Sequence, residues 1–190
     1  MDKEINYLNR IYEKNPTTGN YVVEISLSKY EDVFNGWDHA DYKKRDLDPQ
    51  LTFFLERCFS EIPLNHAVEI CFYLPTEERD RAKEKVITSC IDTYYGFYAY
   101  TEGKKIYKSY QKTLLYIMAS FMFLTGSFLI RNDAGNVLVN TLIQGATVGG
   151  WVFLWEALSL VFFRMEGKAT TKKIYEKLHT SPIYFRHMFS

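Results

Sequence analysis

Between Lys112 and Arg131 the chain runs through 18 uncharged residues, Thr113 to Ile130 (TLLYIMASFMFLTGSFLI). After a short polar segment, 131–136 (RNDAGN), it enters a second apolar run, Val137 to Phe163, whose 27 residues carry one charge, Glu156. At about 1.5 Å per helical residue the first run covers close to the roughly 30 Å of a hydrocarbon core, and the second is long enough to cross with tilt. Two such runs, joined by a tight polar turn, predict a transmembrane hairpin.

The flanks predict its orientation. Lys104, Lys105, Lys108 and Lys112 precede the first run, and Arg164, Lys168, Lys172, Lys173 and Lys177 follow the second, whereas the turn holds one arginine and one aspartate. The excess of basic residues puts both termini in the cytoplasm and the turn outside. The expected location is the bacterial inner membrane.

The expected fold class is an α+β cytosolic domain followed by an α-helical transmembrane hairpin. The domain covers 1–110, the hairpin 111–164 (helices at about 113–130 and 137–163), and a cytosolic C-terminal tail 165–190. Tyr21–Ser28 alternates apolar and polar residues, as a half-buried strand does, with Val23, Ile25 and Leu27 inward. Asp48-Pro49 reads as an N-cap with proline at the first helical position. The helix runs to about Phe59 and buries Leu51, Phe54, Leu55 and Cys58. A second strand spans Ala67 to Leu74. Thr76 is expected to cap a long helix that buries Val86, Ile87, Cys90, Ile91 and Tyr94 and breaks near Gly103, before the first membrane span. Two strands make a marginal sheet, so either residues 5–14 add to it or self-association completes it.

Composition excludes several classes. Basic and acidic residues balance at 23 each, unlike a dedicated duplex-DNA binder. Cys58, Cys71 and Cys90, and the scattered histidines, make no metal-ligand spacing, and none of the common catalytic or cofactor motifs is found. No catalytic residue, metal or cofactor is expected, and neither is a cleaved signal peptide, because Met1–Glu4 leads into no apolar run.

Two groups of residues could carry function. A carboxylate within an apolar helix costs about 2.5 kcal/mol or more to insert at mid-membrane, so Glu156 should face protein or water. It shares a helix face with Gly149 and Gly145, a GxxxG stretch that permits close approach of another helix. Asn140 and Gln144 add polar positions nearer the outer end. Read together, the five mark a pore or helix interface; the bland alternative is a glutamate that snorkels to the membrane surface. In the other group, Lys43, Lys44 and Arg45 could contact a phosphate-bearing ligand while Trp37 stacks on a base, with Arg79 and Arg81 extending the patch. The intervening acids make a solvated loop the plain alternative.

Phe34–Asp38 (FNGWD), Lys44–Pro49 (KRDLDP), Glu61–Leu64 (EIPL) and Gly150–Trp155 (GWVFLW) resemble the motifs of a large bacterial family with a short cytosolic α+β domain and two transmembrane helices. The similarity covers roughly residues 20 to 180. Many relatives carry a proline where this chain has Ala157, which implies a straighter helix here. The layout is similar to that of the membrane channel component of the Hailong anti-phage system. That resemblance implies a homo-oligomeric channel, expected as a tetramer, gated by a nucleotide or single-stranded DNA oligomer that a partner nucleotidyltransferase makes. The alternative is a non-conducting anchor that recruits a soluble partner.

Overall fold

The computed structural model describes residues 2–41, 44–76, 79–130 and 137–188, with the side chains of all but 2–6 and 163–166. It divides into two compact units: residues 1–100 with 172–190, and residues 101–171.

The first unit is built on a four-stranded mixed sheet, ordered β1 (Glu13–Lys14), β2 (Tyr21–Ser26), β3 (Val68–Pro75) and β4 (Ile183–Met188). β1 runs antiparallel to β2, and β2, β3 and β4 run parallel. The parallel order forces crossovers. α2 (Pro49–Glu61) makes the first, and the start of α3 (Arg81–Ile130) and the end of α5 (Met165–Thr180) belong to the second. Both leave their helices on one face. Val23, Ile25, Val68, Ile70, Phe72 and Leu74 of the sheet share a core with Leu8 of α1 (Asp2–Ile11), Leu55 and Phe59 of α2, Ile87, Ile91 and Tyr95 of α3, and Leu178 of α5.

The sheet is therefore completed from both ends of the chain. The N-terminal segment supplies both a helix and a strand, the first of the two alternatives open at the sequence level. The C-terminal segment was expected as a tail and is not one: α5 and β4 fill it, with Phe185 stacked on Phe72 at 5.4 Å. His187 Nε2 lies 2.8 Å from Glu84 Oε1, which also accepts from the Tyr30 hydroxyl at 3.1 Å. The last strand is thus tied to the start of α3 and to the 3-10 turn Tyr30–Val33.

Local chemistry accounts for the element ends. Asp48 Oδ1 accepts from the backbone N–H groups of Gln50 and Leu51, capping α2 as its sequence predicts. Leu51, Leu55 and Cys58 are buried as expected, and Phe54 packs against the core from a partly exposed position. α3 starts later than expected: Asp80, not Thr76, caps it, with Oδ1 accepting from Ala82 and Lys83. Residues 77–78, which would open a helix capped by Thr76, lie outside the described residues. α3 also runs unbroken through Gly103. One glycine costs a helix about 1 kcal/mol, too little to stop one with good formers on both sides.

Glu69 is the most buried acid described, 3% exposed on the sheet face away from the helices. Its carboxylate accepts from Asn15 and Thr18 at 2.7 Å and from Asn20 at 2.8 Å. Burial alone would raise its pKa; the donors from Thr18, Asn15 and Asn20 outweigh it and hold the group below its ordinary value. One carboxylate thereby fixes the β1–β2 connection.

Candidate functional site

The second unit contains the later part of α3, α4 (Val137–Ser159), a π-type turn at Leu160–Arg164 and the first turns of α5. α3 and the run from α4 onward are each long and apolar enough to cross a membrane. Only 17% and 18% of their most apolar stretches are buried within the chain. A helix in a soluble core hides most of its apolar surface; these expose it. The connecting residues 131–136 lie outside the described residues.

Gly150 carries the contact between α3 and α4. It is buried, and a Cβ there would meet Leu124 Cγ at 2.8 Å and Phe123 Cβ at 3.3 Å. Phe153 extends the contact, 5.6 Å from Phe123 and 6.0 Å from Tyr116 between ring centroids. On α3 a stripe of small hydroxyl residues is buried: Ser109, Thr113, Ser120 and Ser127. Small side chains let helix backbones approach in lipid, and their hydroxyls bond back to their own helix, as Thr113 does to the Ser109 carbonyl at 3.0 Å. Neither Gly150's role nor this stripe was singled out from sequence. The seven-residue spacing of 113, 120 and 127 is the signal that could have revealed the stripe.

Gly145 and Gly149 face elsewhere. Each has open space where a Cβ would point. At about 100° per residue, Gly145, Gly149 and Glu156 lie about 100–140° round α4 from Gly150, all in one sense. Glu156 is half-buried, in an open groove lined by Val152, Trp155, Ser159 and Phe162. Asn140 and Gln144 lie about 80–120° round in the opposite sense. They line a separate groove of about 470 Å³ with Leu124, Ser127, Phe128 and Thr147. The five residues expected to mark one interface therefore occupy two faces of α4, and α3 covers neither centre.

The second candidate group is dispersed. Trp37 is 96% exposed and its backbone N–H donates to Asn35 Oδ1. Lys44 is exposed in the same loop, and Arg45 is half-buried with its Nε enclosed and without a hydrogen-bond partner. Lys43 lies outside the described residues. Arg79 and Arg81 are exposed near the start of α3. The loop's aspartates serve its own backbone: Asp38 Oδ2 accepts from Asp46 N–H at 2.7 Å and Oδ1 from Ala40 N–H at 2.9 Å. These two bonds hold the Asp38 carboxyl below its ordinary pKa. Asp38 thus ties together the described ends of this loop, beside the uncovered indole of Trp37.

The basic flanks divide between the units. Lys168 donates to the Ser109 hydroxyl at 2.9 Å, in the second unit. Lys177 belongs to the first, where it is half-buried. It donates to the carbonyls of Ile62 and Pro63 at 3.3 and 3.2 Å, at the C-terminal end of α2, and burial lowers its pKa to about 8.

Compared with protein-family models, with curated proteins and with solved structures, the chain matches none.

Proposed function

We propose that this chain is a subunit of a homo-oligomeric ion channel in the bacterial inner membrane, with both termini cytoplasmic. A ligand on its sheet unit, a nucleotide or a single-stranded DNA oligomer, gates it, and depolarisation of the membrane is its output in anti-phage defence. The observation that carries this reading is the face of α4 holding Gly145, Gly149 and Glu156. α3 leaves it uncovered, and it combines room for another helix with a carboxylate that lipid would penalise. Two helices enclose no path, so the water such a carboxylate needs has to be lined by several copies. We take the ring to be a tetramer.

The similarity in layout to the Hailong channel component is what suggests the ligand class. The exposed indole of Trp37, with Lys44 and Arg45 in the same loop, would offer the ligand a stacking surface and cations for phosphate.

A second reading keeps the chain as a non-conducting anchor. The exposure of Phe97 and Tyr100, on the part of α3 that belongs to the sheet unit, favours it, because such rings suit a soluble partner. Expression of the intact chain in cells carrying a potential-sensitive dye separates the two. The channel depolarises the cells and Glu156→Gln alters that response; an inserted protein that leaves the potential unchanged is an anchor.

A further inference from the structure

The sheet has two edges of very different kinds. β1 is two residues long, a length that offers little to another strand. β4 is six residues long, reads Ile-Tyr-Phe-Arg-His-Met, and contains neither proline nor lysine. Proteins that keep an edge strand free of partners shorten it, bend it or charge it. β4 has one permanent charge, Arg186, and it is engaged. Its guanidinium lies 5.6 Å from the Tyr184 ring centroid and donates to the Tyr73 hydroxyl at 3.2 Å.

The backbone of β4 is set for a partner. The Pro182 carbonyl accepts from Ile70 N–H at 2.9 Å. By the alternation of parallel pairing, Pro182, Tyr184 and Arg186 direct their backbone groups to β3, and Ile183, Phe185 and His187 direct theirs outward. Beside this edge runs an open groove of about 610 Å³. Ile183, Tyr184 and Phe185 line one wall, and Glu84, Lys85, Thr88, Ser89 and Asp92 of α3 line the other.

We propose that a second copy of this chain pairs with this edge, β4 against β4 antiparallel, about a two-fold axis through Phe185. Two observations select that occupant and that register. On the open sheet face, Tyr184 of each copy then lies opposite Arg186 of the other, repeating between copies the cation–π contact already made within one. Centring on Arg186 instead would oppose two guanidinium groups. The register also uses all three outward residues, because Phe185 pairs with its own equivalent and Ile183 with His187.

The other observation is charge along α3. Glu84 sits level with His187, and Asp92 lines the groove near Ile183, so the axis through Phe185 passes beside Thr88 and Ser89. A two-fold axis there brings exposed Lys85 of one copy opposite Asp92 of the other, twice. Asp92 also lies 3.0 Å from His179 Nδ1, yet its side chain stays 55% exposed and can meet a lysine. An isologous interface needs a self-complementary surface, and this one is. The pairing concerns the sheet unit alone and holds whether or not the chain conducts.

The test uses the intact chain in detergent, spin-labelled at Ser89→Cys; the native Cys58, Cys71 and Cys90 are buried and should not label. Helices packed across such a junction lie about 8–10 Å apart, so dipolar spectroscopy should find an intermolecular distance within about 20 Å. Lys85→Glu should abolish that distance, and Lys85→Glu with Asp92→Lys should restore it, an outcome no folding defect explains. A particle that is multimeric by mass but shows no label distance below about 30 Å overturns the β4 pairing and leaves the membrane oligomer standing. A monomer by mass overturns both.

Discussion

The glycines of α4 offer a direct comparison of an inner face with an outer one. A Cβ at Gly150 would lie 2.8 and 2.9 Å from Leu124 Cγ and Cδ2, where carbon atoms prefer about 3.5–4.0 Å. Cγ is the branch point of the leucine, so relief needs a new χ1 rotamer or a shift of α3. Overpacking of this kind costs about 1–3 kcal/mol, and alanine's better helix propensity cancels because α4 is helical in both states. Gly150→Ala should therefore weaken association of α3 with α4 by about 1–3 kcal/mol, roughly five- to 150-fold in the equilibrium between packed and separated helices. Gly145→Ala and Gly149→Ala meet nothing within 4 Å and should leave that equilibrium unchanged, while lowering the population of the oligomer. The assay is energy transfer between labels on α3 and α4 in mixed micelles at dilutions that keep the chain monomeric, with cross-linking at higher concentration for the oligomer. If Gly149→Ala separates the helices as strongly as Gly150→Ala, the division of faces is wrong.

Three further predictions concern the sheet unit. Tyr95 is fully buried with its hydroxyl lacking a hydrogen-bond partner, so Tyr95→Phe should raise stability by about 1 kcal/mol in thermal or denaturant unfolding; a loss of that size would reveal a partner for the hydroxyl. Burial lowers the Lys177 pKa to about 8, so between about pH 8 and the ordinary lysine value the unfolded chain binds the extra proton. Stability should rise with pH across that window, and Lys177→Met should remove that part of the rise. Glu69 is shifted the other way: its folded pKa is depressed, so its contribution is present above the ordinary glutamate value and lost as pH falls through the folded one. Glu69→Gln should flatten that acid limb, and an unchanged limb would show that the Asn15, Thr18 and Asn20 bonds carry little of it.

The parts of the fold legible in the sequence are those specified by neighbouring residues. β2, β3, the capped α2 and the two apolar runs all follow from local period or a single cap. What the sequence hid depends on distant partners. β4 alternates properly, Ile183 and Phe185 inward against Tyr184 and Arg186 outward, but its pairing partner is far away in sequence; Arg186 and Tyr73, which bond, are 113 residues apart. Lys177 looked like one more flanking charge because nothing local reports that Phe59 and the end of α2 enclose it. In the candidate site, composition identified Gly145, Gly149 and Glu156 as a face, and helix geometry kept them together. Asn140 and Gln144 join them only as polar residues of the same span, and their angle round α4 separates them. The contact at Gly150 was masked by the better-known spacing of the adjacent glycines.

If copies of this chain enclose an ion path beside Glu156, the purified intact protein should carry current across a planar bilayer. The steps should be discrete and cation-selective, with a reversal potential under a salt gradient that moves toward zero in Glu156→Gln. A correctly inserted protein that passes no current with or without added nucleotide or single-stranded DNA oligomer, or one whose selectivity Glu156→Gln leaves untouched, would contradict it.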